Sequence, residues 1–349
     1  MTAPTLDEAL DRAVAAYEAG DLEAARDAAS VAVSLDRSSV EAHHFLAAAL
    51  AGLGEVEQAD RAYHEALALE PDDPELLLGA AELLVSDLAD DADALSEAIE
   101  LAARGAALAR EDEDTDLAGE LVLVEARAFI ALGRSKTALH RLDEAERLLG
   151  DDADVGLHRG MALFELVRPD EAAKCFEAVL AREPDEPLAH HYLGLCLERL
   201  GDADGALAHL ERARRLAPEE FPSPVTLSER AFDAVIESAL ERLPGRVREW
   251  LSNVAVLVEP LPLDEDLLDS DPPLSPLILG VFRGAPLGEK ASEDPWAHFP
   301  SSIVLYQKNL ERSCASREEL VEEIEVTVLH EVGHYLGLDE AALTARGLE

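Results

Sequence analysis

Basic residues are scarce in this 349-residue sequence: 29 lysines and arginines stand against 74 acids, for a formal charge of −45. Such a surface repels nucleic-acid phosphates and anionic lipid headgroups, so binding to nucleic acid or to a membrane surface is not expected. Cysteines are few as well. Cys175, Cys196 and Cys314 are an odd number without metal-ligand spacing, which argues against a disulfide framework and against a cysteine-type zinc site. No stretch is apolar for long enough to cross a bilayer, and the first residues, MTAPTLDEALDRAV, carry neither a basic nor an apolar leader segment. The expected location is therefore the cytoplasm. Aromatics make up only 4% of the chain while apolar residues reach 48%. Most of the latter are Ala and Leu, the composition of closely packed helices.

What the sequence does have, first, is an internal repeat. Leu46, Gly54, Ala59, Tyr63, Ala66 and Pro71 recur at the same offsets as Leu193, Gly201, Ala206, Leu210, Ala213 and Pro218. Further copies begin near Leu6, Pro74, Gly119 and Ala153, and within each block of three the starts are spaced by 34 residues. Small residues let paired helices approach, a glycine serves the turn between them, and proline ends the second helix. Each unit is thus expected to be a helical hairpin, and residues 6 to 220 resemble the tetratricopeptide repeat (TPR) family. The third copy is lengthened by about eleven residues after Ser86, read as a longer loop or a helix extension. The resemblance implies an all-α solenoid whose concave groove takes a protein partner. Acidic-peptide readers of that family clamp a carboxylate with basic groove residues. The corresponding positions here are Glu41, His44, Ala48 and Ala51, then Glu120, Leu123, Arg127 and Ile130, then Leu188, His191, Leu195 and Glu198. Such a groove suits an apolar or basic segment better than an acidic one. The paired histidines His43–His44 and His190–His191 point in different directions from a helix and are read as structural.

Pro218, Pro222 and Pro224 close the repeat region, dividing the chain into a repeat domain over 1–220 and a second domain over 225–349. Thr226 with Glu229 reads as a capping box opening an amphipathic helix to Leu243. A shorter helix in GRVREWLSN and three strand candidates, Val254–Pro260, Leu277–Phe282 and Ile303–Gln307, follow. Ser316 with Glu319 is a second capping box, starting a helix that runs to about Leu336. The expected architecture is an all-α solenoid followed by a small α+β domain.

The last helix carries HEVGHYLGLDE. His330 and His334 lie one turn apart and project side by side, so both can bind one ion. Two imidazoles suit zinc, and a site with three protein ligands leaves a position open for a water, which the metal acidifies. Glu331, beside them, can accept the proton of that water as it attacks a carbonyl and pass it to the leaving amine. Gly337 allows the helix to end and the chain to turn back. Asp339 and Glu340 are neighbours within reach of a third ligand position. The offset used by metzincin-type proteases selects Glu340, leaving Asp339 as an acid behind the ligands.

Beyond the motif, GRVREWLSNVAVLVEPLP, LILGVFRGAPL and SSIVLYQKNLERSCASREELVEEIEVTVLHEVGHYLGLDE, in this order, resemble the compact bacterial zincin-like metallopeptidases, the minimal zincins, over about residues 240 to 342. That family ends its motif in Asp where this chain has Glu340. The resemblance implies one zinc ion per chain, held by His330, His334 and Glu340 with Glu331 as the base, and a hydrolase acting on peptide bonds. An extended or unfolded peptide or protein is the expected substrate. Tyr306, at the end of the IVLYQ strand, is a candidate transition-state stabiliser, and that strand a candidate platform for the substrate. Tyr335 and His298 are further candidates. The alternative is a non-catalytic TPR adaptor whose second domain carries a structural metal. A third reading has the solenoid covering the cleft until a partner draws it away.

Overall fold

The structure, a computed structural model, describes residues 4–252, 254–285, 287 and 301–345. Its first twelve helices are α1 (Leu6–Glu18), α2 (Leu22–Leu35), α3 (Val40–Gly52), α4 (Val56–Leu69), α5 (Pro74–Asp87), α6 (Ala92–Glu111), α7 (Thr115–Ala131), α8 (Ser135–Leu149), α9 (Ala153–Glu165), α10 (Pro169–Arg182), α11 (Pro187–Arg199) and α12 (Ala203–Leu216). Five of the six expected repeat starts coincide with the first residue of a helix, and the sixth, Gly119, falls one turn inside α7. The extra residues of the third copy are helix rather than loop. α6 has 20 residues and α7 has 17, where α4, α5, α10 and α12 each have 14.

The repeat offsets have the physical meaning their residue types suggest. Ala47, Ala59 and Ala66 are fully buried, where a larger side chain would hold the helices apart. Gly54 and Gly201 take positive φ, +72° and +87°, just after the first helix of a hairpin, a conformation that a Cβ disfavours. Pro74 and Pro187 open α5 and α11 at the position where the missing N–H costs nothing.

The chain divides into two compact units, one of Met1–Leu163 with Asp170–Pro184, the other of Phe164–Pro169 with Asp185–Glu349. The second unit thus holds the hairpin α11–α12 together with everything after it. Its remaining elements are α13 (Glu229–Arg242), α14 (Gly245–Leu251), β1 (Ala255–Glu259), α15 (Asp264–Leu267), β2 (Gly280–Arg283), β3 (Ser302–Tyr306), α16 (Gln307–Ser313), α17 (Arg317–Tyr335) and α18 (Glu340–Thr344). The three strands form a sheet of order β1-β3-β2, with β1 parallel and β2 antiparallel to β3. Ile303 and Leu305 of β3 point to the side where Ile324, Val328 and Val332 of α17 and Phe232 and Ile236 of α13 complete the core.

Two expectations are corrected in this unit. The cap of α13 is Ser228, whose Oγ accepts from Ala231 N, and not Thr226. The chain stays extended through that point because Val225 N and Leu227 N donate to the backbone and side chain of Glu311 on α16. Nor is the Glu198 groove position of the sixth repeat open to a partner. Glu198 of α11 is ion-paired with Lys308 and Arg312 of α16, each at 2.7 Å, so the chain's own second domain occupies that face.

Burial opposes ionisation of Glu198, but the hydrogen bonds and charges of Lys308 and Arg312 outweigh it and hold the carboxyl below its usual range. A depressed native pKa contributes stability above the unfolded value, about 4.3, and loses it as the pH falls through the native one. We expect Glu198→Gln to cost ~2 kcal/mol at pH 7, and the gap from wild type to narrow as the pH falls below the usual carboxylate range, measured by urea unfolding across an acid pH series.

Candidate metal centre

α17 presents different chemistry on different faces because of its periodicity. Leu320, Ile324, Val328 and Val332 recur every fourth residue and are buried against the sheet and α13. At about 1.5–3 kcal/mol for each such side chain, this stripe fixes the rotation of the helix. His330 lies two residues beyond Val328, about 200° around the axis, and so faces away from the core, with His334 one turn further along. Glu331 falls on the flank between the two faces, above Thr327, and is only 5% exposed. The helix begins as the sequence indicated: Ser316 Oγ accepts from Glu319 N, and the Glu319 carboxylate accepts from Ser316 N.

The two imidazoles meet edge to face, their centroids 4.7 Å apart and their planes at 77°, with the Nε2 atoms 3.0 Å from each other. His334 Nδ1 lies 3.2 Å from the carbonyl oxygen of Leu338. A carbonyl only accepts, so Nδ1 carries the proton and Nε2 of the neutral ring keeps its lone pair, directed towards His330. Two nitrogens converging in this way suit a small cation of the zinc type, which bonds imidazole at about 2.0–2.1 Å in tetrahedral geometry. Among the described residues no group of three His, Cys, Asp or Glu side chains converges. The ligand expected from spacing, Glu340, begins α18, but its side chain lies outside the described residues.

The return of the chain to the site depends on two glycines. Gly337 ends α17 at φ +86°, with its N–H on His334 O and the Leu338 N–H on Gly333 O. At Gly333 a Cβ would collide with the Leu343 side chain of α18, which is fully buried. Absence of a side chain at Gly333 thus lets α18 pack directly on the motif helix. Asp339 is exposed and caps that short helix, accepting from Ala342 N at 2.9 Å.

A cleft of about 480 Å³ gathers His330, Glu331, His334 and Asp339 with Gly280, Val281 and Phe282 of β2. Gly280 was not singled out from the sequence. A Cβ there would crowd Thr327 and the Val304 carbonyl and press on Glu331, so glycine is what lets β2 lie close against the base. Its only sequence signal is a glycine inside a strand pattern.

β3 does not border this cleft as the sequence reading expected. It is the central strand, paired on both sides, so its backbone groups are already used, and β2 is the strand beside the site. Tyr306 is not brought to the cleft. Alternation along β3 puts it on the face opposite Ile303 and Leu305, where it is fully buried and its hydroxyl donates to Asp266 at 3.0 Å. Arg283 joins that cluster with paired hydrogen bonds to Glu259 and Asp266. Burial opposes ionisation of Asp266, but hydrogen bonds from Arg283 and Tyr306 hold it below its usual range, while burial, then the Asp266 charge, pushes the Tyr306 phenol up. Tyr335 donates to the Trp250 carbonyl at 3.0 Å, tying the end of α17 to α14. His298 lies outside the described residues.

Comparison with known proteins assigns both regions. A profile described as zincin-like metallopeptidase matches residues 251–348, and tetratricopeptide repeat profiles match 40–83, 123–173 and 157–221. Cellulose synthase operon protein C of Xanthomonas axonopodis pv. citri is 28% identical over 204 residues, 58% of this chain, which spans only 13% of that protein's length. Among solved structures, PilF of Pseudomonas aeruginosa is 17% identical with a TM-score of 0.50, covering 66% of this chain and 96% of its own. PilW, described as a widely conserved type IV pilus biogenesis factor, is 15% identical with a TM-score of 0.53, covering 61% and 94%. At such identities the likeness is one of fold alone. The chain therefore carries tetratricopeptide repeats in its N-terminal region and a zincin-like metallopeptidase domain over residues 251–348.

Proposed function

We propose that the second domain is a zinc-dependent peptidase, with His330, His334 and Glu340 as metal ligands and Glu331 as general base. The observation that carries this reading is the convergence of the two Nε2 atoms at 3.0 Å in the wall of a cleft that also holds Glu331. Zinc held there would supply Lewis acidity to the carbonyl and to water. Glu331 takes the proton of the attacking water and returns it to the departing amine, a transfer favoured by its place beside the ligands. The Leu338 carbonyl keeps His334 in the tautomer that offers Nε2.

The substrate in this reading is an extended peptide. Among the described residues β2 pairs with β3 on one side alone, so its other edge offers backbone groups along the cleft to an added strand. A strand-like guest favours unfolded or flexible segments over folded proteins. The repeats of the first unit are the natural place for a protein partner or for a remote part of the substrate, as the tetratricopeptide matches support.

Elemental analysis with an assay on an unfolded protein mixture separates this reading from an adaptor with a structural metal. We expect one zinc per chain in the wild type and in Glu331→Gln, with cleavage slowed about 10²–10⁴-fold in the latter, and loss of zinc in His334→Ala. Zinc in full stoichiometry with cleavage that Glu331→Gln leaves unchanged would overturn the peptidase assignment. Gly333→Leu tests the route by which the chain returns to the site. It should weaken zinc binding on the order of 10–100-fold by displacing α18 while both histidines remain, as read by competition with a chromogenic chelator.

A further inference from the structure

A second cavity, apart from the metal cleft, lies wholly within the second compact unit. It measures about 270 Å³ and is walled by Leu195 and Leu210 of the hairpin α11–α12, by Phe221 of the proline-bearing linker, and by Leu279. That is at the small end of ligand cavities and limits a guest to a few heavy atoms. The cavity is apolar in its walls but not in its charge. Arg214 and Arg312 both line it, in a chain whose formal charge is −45.

The Arg312 guanidinium is not fully satisfied. Arg312 directs Nη2 to Glu198, while its Nη1 is buried without a hydrogen-bond partner. Arg214 has no ion pair or hydrogen bond among the described residues. Glu220 also lines the cavity but is exposed. His191 adds no charge at neutral pH: its ring stacks on Phe221 at 4.5 Å, and burial, then the fields of Arg312 and Arg214, push it down to about 4. A buried donor left without an acceptor is costly, and a charged acceptor relieves it better than a neutral one.

We propose that this cavity binds a small branched aliphatic carboxylate, its chain against Leu195, Leu210 and Leu279 and its carboxylate between the guanidiniums of Arg214 and Arg312. The guest bears on the candidate catalytic region through one shared wall. Leu277 and Leu279 face this cavity, while Ile278 and Gly280 line the metal cleft. Asn309 clamps that segment by donating Nδ2 to the carbonyls of Pro276 and Ile278 at 2.9 and 2.8 Å. Binding at the cavity stands whether or not the domain is a peptidase.

Calorimetric titration of the full chain with 4-methylpentanoate and with 4-methylpentanamide tests the assignment. The two probes differ in charge and scarcely in shape. Guests of this size bind at best in the micromolar to millimolar range. We expect saturable binding of the acid, with the amide at least about tenfold weaker. Arg214→Gln, which breaks no ion pair among the described residues, should abolish the preference for the acid while leaving the circular dichroism spectrum and thermal midpoint unchanged. Absence of saturation by the acid up to about 10 mM, equal affinity for acid and amide, or an unaltered preference in Arg214→Gln would each overturn it.

Discussion

The packing of one face of α17 is the constraint on which the second unit depends. Leu320, Ile324, Val328 and Val332 must all reach the core formed by the sheet and α13, and that requirement sets the rotation of the helix about its own axis. Once it is set, the face from which His330 and His334 project is fixed, and Glu331 is carried to the flank beside β2. Rotating the helix by one residue would bury a histidine and expose part of the stripe. The same aliphatic contacts that stabilise the domain thus aim the candidate ligands.

Three glycines complete the site by what they omit. Gly280 lets β2 approach Glu331, Gly333 lets α18 lie on the motif helix, and Gly337 turns the chain between them. Backbone groups then do work that side chains do elsewhere: the Leu338 carbonyl fixes the His334 tautomer, and the edge of β2 is left available along the cleft. Precision in a site of this size comes from close approach of backbone, which only glycine permits.

The hairpin α11–α12 belongs to the repeat pattern by sequence and to the second unit by contact. Glu198 sits at an offset where a groove residue would meet a partner, yet it meets Lys308 and Arg312. His191 and Leu195, two further offsets on the same helix face, wall a cavity with α16 and the linker. A repeat that normally receives another protein has here received the chain's own next domain, which removes those positions from partner binding and creates a partly open space lined by two arginines.

Much of this was legible in the sequence, because it rests on local periodicity. The 34-residue spacing marked the hairpins, the Ser316–Glu319 cap marked the start of α17, and the four-residue interval between His330 and His334 implied convergence whatever the rest of the chain did. What depends on pairing between distant segments was not legible. The order β1-β3-β2 placed β3 in the middle, because strand order is set by which segments cover one another and not by alternation within any one of them, and the packing of Ile303 and Leu305 against α17 decided which face was left to Tyr306. The cap at Ser228 moved for the same reason, since Glu311, 84 residues away, holds Leu227 extended. Sequence alone determined the repeat helices and the motif helix and which of their residues share a face; tertiary structure decided which faces meet, because burial free energy belongs to pairs of surfaces and is encoded in neither surface alone.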